Sequence, residues 1–342
     1  MADDQSLLSR ELREAPAAVA RQGEALKQPL AALVARLMRT PPNVMVTCAR
    51  GSSAHAATFG KHIVEKYLGI PVAAAAPNIA TVYRRDLRIA DQFALFVSQS
   101  GQSDDLIEQA RSARRAGATT AALVNDTKSP LAAECEFVLP IAAGPEQAVA
   151  ATKSYVASLS ALLRLAAAWT GEAGLQTAAD RLAERLALAV ELDWRAALEA
   201  LANAQGMIAI GRGPTLAIAR EAALKLKETA RLQAEAYSSA EFMHGPITLV
   251  SPGYPLLVFS PSDEAAAGLQ ELSRSVTEKG AALLATGTNG PGIRLPALPD
   301  EQPEADAICL IQSFYSLLPR LAEMRRMSAD LPRHLEKVTR TR

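Results

Sequence analysis

The sequence is poor in cysteine, in aromatic residues and in net charge. Its three cysteines, Cys48, Cys135 and Cys309, lie far apart, which shows no metal-ligand spacing and favours a reducing compartment. Lys plus Arg and Asp plus Glu both number 36 among 342 residues, so the basic excess of a general nucleic-acid-binding protein is missing. Aromatic residues make up 4% against 49% hydrophobic residues, so the core must consist mainly of Ala, Leu and Val.

Long apolar segments are missing as well. The N-terminus, MADDQSLLSRELREAP, is polar and lacks the apolar region of a secretory leader. The most apolar stretch, residues 154–169, contains Arg164 and is too short to cross a bilayer. We therefore expect a cytoplasmic protein with no membrane or nucleic-acid partner, and the absence of ligand patterns predicts no metal and no organic cofactor.

An internal repeat organises the chain. Arg50-Gly51-Ser52 recurs as Arg212-Gly213-Pro214, and Ser98-Gln99-Ser100 recurs as Ser260-Pro261-Ser262, both at an offset of 162 residues. Each motif follows a short apolar run of the strand type. These runs cover residues 44–48 and 93–97 in the first copy and residues 207–210 and 256–259 in the second, and a third run follows in each copy, at 119–124 and 282–286. Two copies of one α/β unit in tandem explain this pattern.

Short buried strands that alternate with longer helical patterns are typical of a doubly wound parallel sheet. We expect one or two helices in residues 5–40, broken near Pro16, and a helical connection over 174–203. Residues 287–303 indicate a loop with a short strand inside it. The predicted organisation is an N-terminal helical segment (1–30), two α/β domains (31–172 and 173–329) and a C-terminal tail (330–342).

The segment Ser98-Gln99-Ser100-Gly101-Gln102-Ser103 lies between a predicted strand and a predicted helix. Ligands of such sheets bind at the carboxyl ends of the strands, and helix N-termini favour phosphate. The same residues also fit a plain helix cap. The second copy has Pro261, lacks the glycine and carries two carboxylates, so we expect phosphate binding in the first copy alone. Arg50-Gly51-Ser52-Ser53 fits either a polar ligand or a capped turn.

Three further patterns carry titratable groups. Glu221, Lys225 and Glu228 share one face of a predicted helix, where they fit either a ligand site or a solvent-facing ion pair. His244 precedes Gly-Pro and therefore lies on a loop, as a proton carrier or as a structural turn residue. Lys337 lies in a basic tail of a kind that is usually solvated.

Taken together, six blocks resemble the isomerase half of glucosamine-6-phosphate synthase, which is built from two sugar isomerase (SIS) domains. The blocks are RGSS at 50–53, SQSGQS at 98–103, VAATK at 149–153, EAALKLKE at 221–228, AEAYSSAEFMHGP at 234–246 and DLPRHLEKVT at 330–339. The resemblance begins near residue 30 and runs to the end of the sequence. It implies two flavodoxin-like domains, each with a parallel five-stranded sheet.

The resemblance also implies site residues and a partner. It assigns the sugar phosphate and its nearby hydroxyls to Ser52, Ser53, Ser98, Gln99, Ser100 and Ser103, and a sugar-lining segment to Val149 and Ala151. Glu228 becomes the base between C1 and C2, supported by Lys225 and Glu221. His244 opens the sugar ring and is supplied by the second subunit of a homodimer. Lys337 reaches the carbonyl, where the family forms a Schiff base.

The sequence departs from the synthase pattern at several points. The glutaminase domain and its N-terminal cysteine nucleophile are not found in these residues, so we expect no ammonia to be taken from glutamine. Ala151 replaces a hydroxyl residue of the family, whereas Ser103 replaces a threonine and keeps the hydroxyl. The reaction that the remaining residues favour is deamination of glucosamine 6-phosphate to fructose 6-phosphate and ammonia.

Other functions use the same residues. A simple phosphosugar aldose–ketose isomerase, a fructosamine-6-phosphate deglycase and an ammonia-dependent glucosamine-6-phosphate synthase all fit them. A non-catalytic sugar-phosphate sensor is the alternative of another class. The first 40 residues are short for a DNA-reading domain with a linker and lack a basic patch, which favours an enzyme over a sensor.

Overall fold

Short apolar runs that end in polar loops become parallel strands in both halves of the chain. A computed structural model describes residues 6–287, 290–335 and 337, and the chain divides into two α/β units. The first unit comprises residues 17–146, 153–180 and Lys337, and the second comprises residues 6–16, 147–152 and 181–335. The two units are therefore interleaved along the sequence. The predicted domain limits at 30, 172 and 329 stay a prediction.

The first unit contains one parallel sheet with the strand order β2-β1-β3-β4-β5. Its strands are β1 (Met45–Ala49), β2 (Val72–Ala74), β3 (Phe93–Ser98), β4 (Thr119–Val124) and β5 (Phe137–Pro140). All six residues of β3 and of β4 are buried, as expected for central strands that are covered on both faces.

The second unit repeats this topology in the order β7-β6-β8-β9-β10, again with every pair parallel. Its strands are β6 (Gly206–Gly211), β7 (Gln233–Ser238), β8 (Pro255–Val258), β9 (Ala282–Thr286) and β10 (Ile293–Leu295). In each sheet the second strand along the chain lies at one edge beside the first, and the third to fifth strands follow on the other side of the first. This order is the flavodoxin-like arrangement. The predicted fold class and its tandem repetition are thus confirmed.

Helices connect the strands of both units. In chain order they are α1 (Leu7–Arg13), α2 (Ala15–Arg39), α3 (Gly51–Leu68), α4 (Asn78–Thr81), α5 (Asp104–Arg115), α6 (Pro130–Glu134), α7 (Lys153–Thr170), α8 (Ala173–Ala189), α9 (Leu198–Ala202), α10 (Thr215–Ala230), α11 (Ser239–Met243), α12 (Ala266–Glu278), α13 (Pro303–Tyr315) and α14 (Leu318–Met324). Short 3₁₀ helices cover Arg195–Ala197 and Pro246–Leu249.

The N-terminal helices break slightly earlier than the proline suggested. Helix α1 ends at Arg13, and α2 begins at Ala15, so Pro16 lies in the first turn of α2. Proline is tolerated there because the first N–H groups of a helix have no intrahelical partner. The expected break is therefore real, but it is centred on Glu14.

The expected helical connection over 174–203 is wrong as a continuous element. Helix α8 ends at Ala189, and regular structure resumes only at Arg195. Trp194 lies in the gap, is buried and donates its indole N–H to the carbonyl of Pro296 at 2.9 Å. Its ring packs near Phe259 and Phe314, so tertiary contacts of Trp194 hold the irregular segment between Ala189 and Arg195. Within residues 6–287, 290–335 and 337, none of the helices combines the length and apolarity that crossing a bilayer requires.

Candidate active site

The serine-rich loop of the first unit is a tight turn between β3 and α5. The N–H of Gly101 donates to the hydroxyl of Ser98 at 3.1 Å, and its carbonyl accepts from the N–H of Leu131. Gly101 has a φ of +63°, and a Cβ at this position would collide with the side chain of Ser129. The loop therefore requires glycine, both for its backbone conformation and for its close approach to the loop after β4.

Ser103 occupies the N-cap position of α5, but its hydroxyl makes no hydrogen bond to the helix. Gln99, Ser100 and Ser103 are all half-buried, whereas Ser98 is buried. A serine that served only as a helix cap would bond to the N–H groups of the first turn. The loop thus presents hydroxyls and helix N–H groups that are suited to an anion.

The RGSS loop lies beside this turn because β1 and β3 are neighbours in the sheet. Arg50 donates from Nε to the buried carboxylate of Asp105 at 2.6 Å and also forms an ion pair with it, which ties the RGSS loop to the first turn of α5. Ser52 and Ser53 follow in the first turn of α3 and are half-buried. Asp105 was missed by the sequence analysis, although an acidic residue in a first helical turn was the available signal.

The corresponding loop of the second unit is occupied by the protein's own carboxylate. Ser262, the counterpart of Ser100, donates its hydroxyl to Oδ2 of Asp306 at 2.5 Å. Arg185 lies 2.7 Å from Oδ1 of the same residue. Burial raises the pKa of Asp306, and the hydrogen bond from Ser262 and the positive charge of Arg185 oppose that rise. This internal pairing is consistent with the sequence-based prediction that only the first copy binds phosphate.

Helix α10 carries a buried row of charges. The ammonium of Lys225 lies 2.5 Å from Oε2 of Glu228 and 3.4 Å from Oε1 of Glu221. Lys225 is 1% exposed and Glu221 is 0% exposed, whereas the side chain of Glu228 keeps 20% of its surface. The alternative of a solvent-facing pair is therefore wrong, because the helix turns this face toward the interior. Glu228 is the member of the row that solvent reaches.

Tyr315, at the end of α13, extends this row and was not found from the sequence. Its buried hydroxyl donates to Oε1 of Glu221 at 3.2 Å. Helices α10 and α13 are packed against each other within the second unit. No local motif marks this tyrosine, because its partner lies 94 residues away in the sequence.

His244 ends α11 and lies at the surface. Ser238 is the N-cap of this helix and forms a capping box with Glu241, and the bonds from Ser238 hold the pKa of the Glu241 carboxyl below its usual range. His244 is exposed, and its backbone N–H bonds to the carbonyl of Glu241. Met243 and Leu249 beside it are also exposed, at 47% and 50%. The imidazole is thus presented outward among apolar side chains.

Val149 and Ala151 belong to the second unit, although they follow β1–β5 directly in the sequence. The carboxylate of Glu11 accepts the backbone N–H groups of Gln147, at 2.5 Å, and Ala148, at 3.1 Å, which holds the start of this segment. Val149 and Ala151 are half-buried, and the alternate residues Ala148, Ala150 and Thr152 are buried. The segment therefore presents one face outward from the unit.

Lys337 is held within the first unit by a carboxylate that the sequence analysis did not consider. Its ammonium lies 3.4 Å from Oε2 of Glu146, whose side chain is fully buried. Ser154 reinforces that carboxylate through its N–H at 3.1 Å and its hydroxyl at 2.5 Å. The side chain of Lys337 is 26% exposed, so this tail residue is docked instead of fully solvated.

The cysteines of the chain are all free and buried. Burial raises the pKa of Cys48, Cys135 and Cys309 to about 12, so their thiols stay protonated near neutral pH. Among the described residues, no group of three or more His, Cys, Asp or Glu side chains is placed to hold a metal ion.

The structure thus distributes the candidate residues between the two units. The first unit brings together the RGSS and SQSGQS serines with Gln99, and it also holds Lys337. The second unit brings together Glu221, Lys225 and Glu228, and it also holds His244, Val149 and Ala151.

Comparison with known proteins places the chain in a family. The family model described as SIS domain matches residues 41–168 and 200–291, one segment in each repeat. The chain is 33% identical over 350 residues to the glutamine–fructose-6-phosphate aminotransferase (isomerizing) of Aeropyrum pernix, covering 96% of this chain and 56% of that enzyme. The enzyme of the same name from Symbiobacterium thermophilum is 37% identical over 238 residues, covering 65% of this chain and 38% of that enzyme.

A solved structure matches almost the whole chain. A candidate phosphosugar isomerase from Silicibacter pomeroyi DSS-3 superposes with a TM-score of 0.91 at 40% identity, covering 95% of this chain and 100% of the other. The chain spans about half the length, or less, of the two aminotransferases described above. The family match, the two repeated sheets and the six sequence blocks agree, and the chain belongs to the SIS domain family, related to the isomerase half of glucosamine-6-phosphate synthase.

Proposed function

We propose that the chain is a glucosamine-6-phosphate deaminase of the SIS type, which converts glucosamine 6-phosphate and water to fructose 6-phosphate and ammonia. The observation that carries this proposal is the buried row Glu221-Lys225-Glu228, which ends in one accessible carboxylate. A carboxylate that is held by a buried ammonium is suited to accept and return a proton, which is the central step of aldose–ketose chemistry.

In this proposal the first unit binds the substrate through its phosphate. The hydroxyls of Ser98, Ser100 and Ser103 and the N-terminus of α5 supply donors, and Gln99, Ser52 and Ser53 contact the nearby oxygens. Val149 and Ala151 line the sugar through main-chain contacts. The Ser103 hydroxyl, which does not cap α5, supports this assignment because it is available to a ligand.

Ring opening, proton transfer from C2 to C1 and hydrolysis then follow. His244 opens the ring by moving the proton of the C1 hydroxyl to the ring oxygen, which leaves an aldehyde at C1. Glu228 removes the C2 proton, and the electron pair of that bond forms the C1–C2 double bond of an enolamine as the C1 oxygen takes a proton from solvent. Glu228 returns its proton to C1, and the lone pair of the nitrogen forms a protonated imine at C2. Water adds to the imine, and ammonia leaves.

The cysteines support release of ammonia over its capture from glutamine. A glutaminase of the cysteine type needs a reactive thiolate, and the three thiols of this chain are buried with a pKa of about 12. None of them is therefore suited to attack glutamine. We expect this chain to ignore glutamine as a nitrogen source.

A phosphosugar aldose–ketose isomerase is the second candidate. The 40% identity to a candidate phosphosugar isomerase, over nearly the whole length of both chains, favours it. The same base and the same phosphate loop serve that reaction, and the substituent at C2 distinguishes the two.

The proposal includes a homodimer in which each subunit supplies His244 to its partner. His244 is exposed on the surface of its own unit, next to the exposed side chains of Met243 and Leu249. Exposed apolar residues around a polar group are typical of an interface between chains.

The test is an assay of purified protein with glucosamine 6-phosphate, in which ammonia and fructose 6-phosphate are measured together. Equal amounts of both products are expected, and glutamine should yield no glutamate. The deaminase proposal is wrong if the protein releases no ammonia from glucosamine 6-phosphate but interconverts an unaminated aldose and ketose phosphate. That result would support the isomerase.

A further inference from the structure

Four side chains of the second unit form a continuous row that ends in the proposed base. The hydroxyl of Tyr315 and the ammonium of Lys225 contact the same oxygen, Oε1 of Glu221, at 3.2 Å and 3.4 Å. The same ammonium lies 2.5 Å from Oε2 of Glu228. Lys225 is therefore placed between two carboxylates. The oxygen of Glu221 that Lys225 approaches also accepts a hydrogen bond from the Tyr315 hydroxyl.

Burial makes the charges in this row depend on one another. Tyr315 and Glu221 are fully buried, and Lys225 is 1% exposed. When Glu228 accepts a proton from C2 it becomes neutral, so the nearby ammonium loses one counter-charge. An uncompensated buried charge is costly, and Glu221 supplies a negative charge that remains throughout the step.

The position of the Lys225 ammonium between Glu221 and Glu228 depends on what else binds Glu221. A hydrogen bond to a carboxylate oxygen satisfies part of its demand for donors. With the Tyr315 hydroxyl in place, Glu221 attracts the ammonium less strongly, and Lys225 remains against Glu228. Without that hydroxyl, the ammonium moves toward Glu221 and leaves the base.

We propose that Tyr315 is a positioning residue, which keeps Lys225 against Glu228 by binding Glu221. This inference rests on the proposed function for its kinetic meaning. Tyr315 lies on a different helix from the base and donates its hydroxyl to Glu221, so we expect its effect to pass through Glu221 and Lys225. It adds a residue of α13 to the machinery that the motif on α10 suggests.

The first experiment compares wild type with Tyr315→Phe, which removes only the hydroxyl. Exchange of the C2 proton of glucosamine 6-phosphate with D₂O reports proton transfer without requiring release of ammonia. We expect kcat for exchange to fall about tenfold, the size of one hydrogen bond to a charged group, while KM stays within about twofold. Tyr237→Phe is the matched control, because the Tyr237 hydroxyl also donates to a carboxylate, that of Glu235, in the same unit.

A double-mutant cycle separates positioning from loose packing. In a Glu221→Gln background, Tyr315→Phe should have almost no further effect on kcat, because both changes interrupt the same row. A tenfold loss that is fully additive to that of Glu221→Gln would overturn the inference. So would a wild-type kcat in Tyr315→Phe, or a loss that appears only in KM.

A second cycle keeps the inference testable if the proposed function fails. When wild type exchanges no proton of the sugar phosphate, the function is wrong, and urea unfolding of Tyr315→Phe, Lys225→Met and the double variant decides the positioning. We expect the effects on the unfolding constant to differ from additivity by at least about threefold, because Tyr315 and Lys225 both contact the same oxygen of Glu221. Additive effects would overturn the inference.

Discussion

Single hydroxyls distinguish the two repeated loops. Ser100 and Ser103 are half-buried in the first unit, whereas Ser262 in the second unit is already bonded to Asp306. In the second copy the serine hydroxyl donates to a carboxylate of the same unit. In the first copy the Ser100 hydroxyl accepts the N–H of Gln102 at 3.4 Å, and the proposed function assigns its proton to a ligand.

The first prediction concerns these hydroxyls. Ser100→Ala or Ser103→Ala should each weaken binding of fructose 6-phosphate by about 10- to 150-fold, since one hydrogen bond to a charged group is worth about 1.5–3 kcal/mol. Isothermal titration calorimetry gives the Kd. Ser262→Ala is the matched control, and it should lower thermal stability through the lost bond to Asp306 while leaving the Kd unchanged. Equal losses of affinity in both copies would contradict a single phosphate site.

The second prediction concerns Glu228. Glu228→Gln keeps the shape of the side chain but removes the base, so turnover should fall by about 10²- to 10⁴-fold. The Kd for a phosphate-bearing analogue should stay within about threefold, because the phosphate contacts are made in both the ground state and the transition state. Lys227→Gln, an exposed neighbour on α10, is the control and should retain wild-type turnover. Near-normal turnover in Glu228→Gln would show that another residue is the base.

At the scale of elements, the turn from β3 to α5 depends on one glycine. Gly101 and Gly51 both have positive φ, at +63° and +52°, but only Gly101 has another residue in the space that a Cβ would fill. Gly51 has no heavy atom within 4 Å of that space. The two positions therefore separate the cost of backbone conformation from the cost of steric collision.

The third prediction uses this pair. Gly51→Ala should lower the free energy of unfolding by about 1–2 kcal/mol, the cost of a left-handed conformation with a Cβ. Gly101→Ala should cost more and should also weaken phosphate binding, because the loop must move away from Ser129. Urea unfolding and calorimetry measure the two effects. An equal loss of stability in both variants, with unchanged affinity, would show that the contact with Ser129 does not shape the loop.

At the scale of the whole molecule, the proposed dimer makes a prediction about mixtures of inactive chains. His244→Ala and Glu228→Gln should each be inactive alone. Unfolding and refolding them together should restore up to about a quarter of wild-type activity, because half of the chains enter mixed dimers and each of those contains one site with both native residues. Ammonia release measures this recovery. A fully active monomer in analytical ultracentrifugation would contradict the shared site.

The six strands that the apolar runs predicted are all present, and so is the short strand within 287–303. Strand β7 was not predicted from its own pattern, since its sequence QAEAYS contains only alanine and one tyrosine as apolar residues and therefore carries little hydrophobic signal. Its backbone pairing with β6 over six residues holds this segment as a strand, although its side chains carry little hydrophobic signal. Likewise, the irregular segment after α8 contains the buried Trp194, whose bond to the carbonyl of Pro296 no local propensity reveals.

The sequence alone determined the duplication, the strands that apolar runs mark, and the family, because these depend on local periodicity and on motifs that are contiguous in the chain. It also brought Glu221, Lys225 and Glu228 onto one face, since helical spacing requires that. Only the tertiary structure decided whether this face is buried, that Tyr315 reaches it from α13, and that Glu146 holds Lys337. Each of these contacts joins residues that are far apart in the sequence, and neither spacing nor composition specifies which distant side chain arrives.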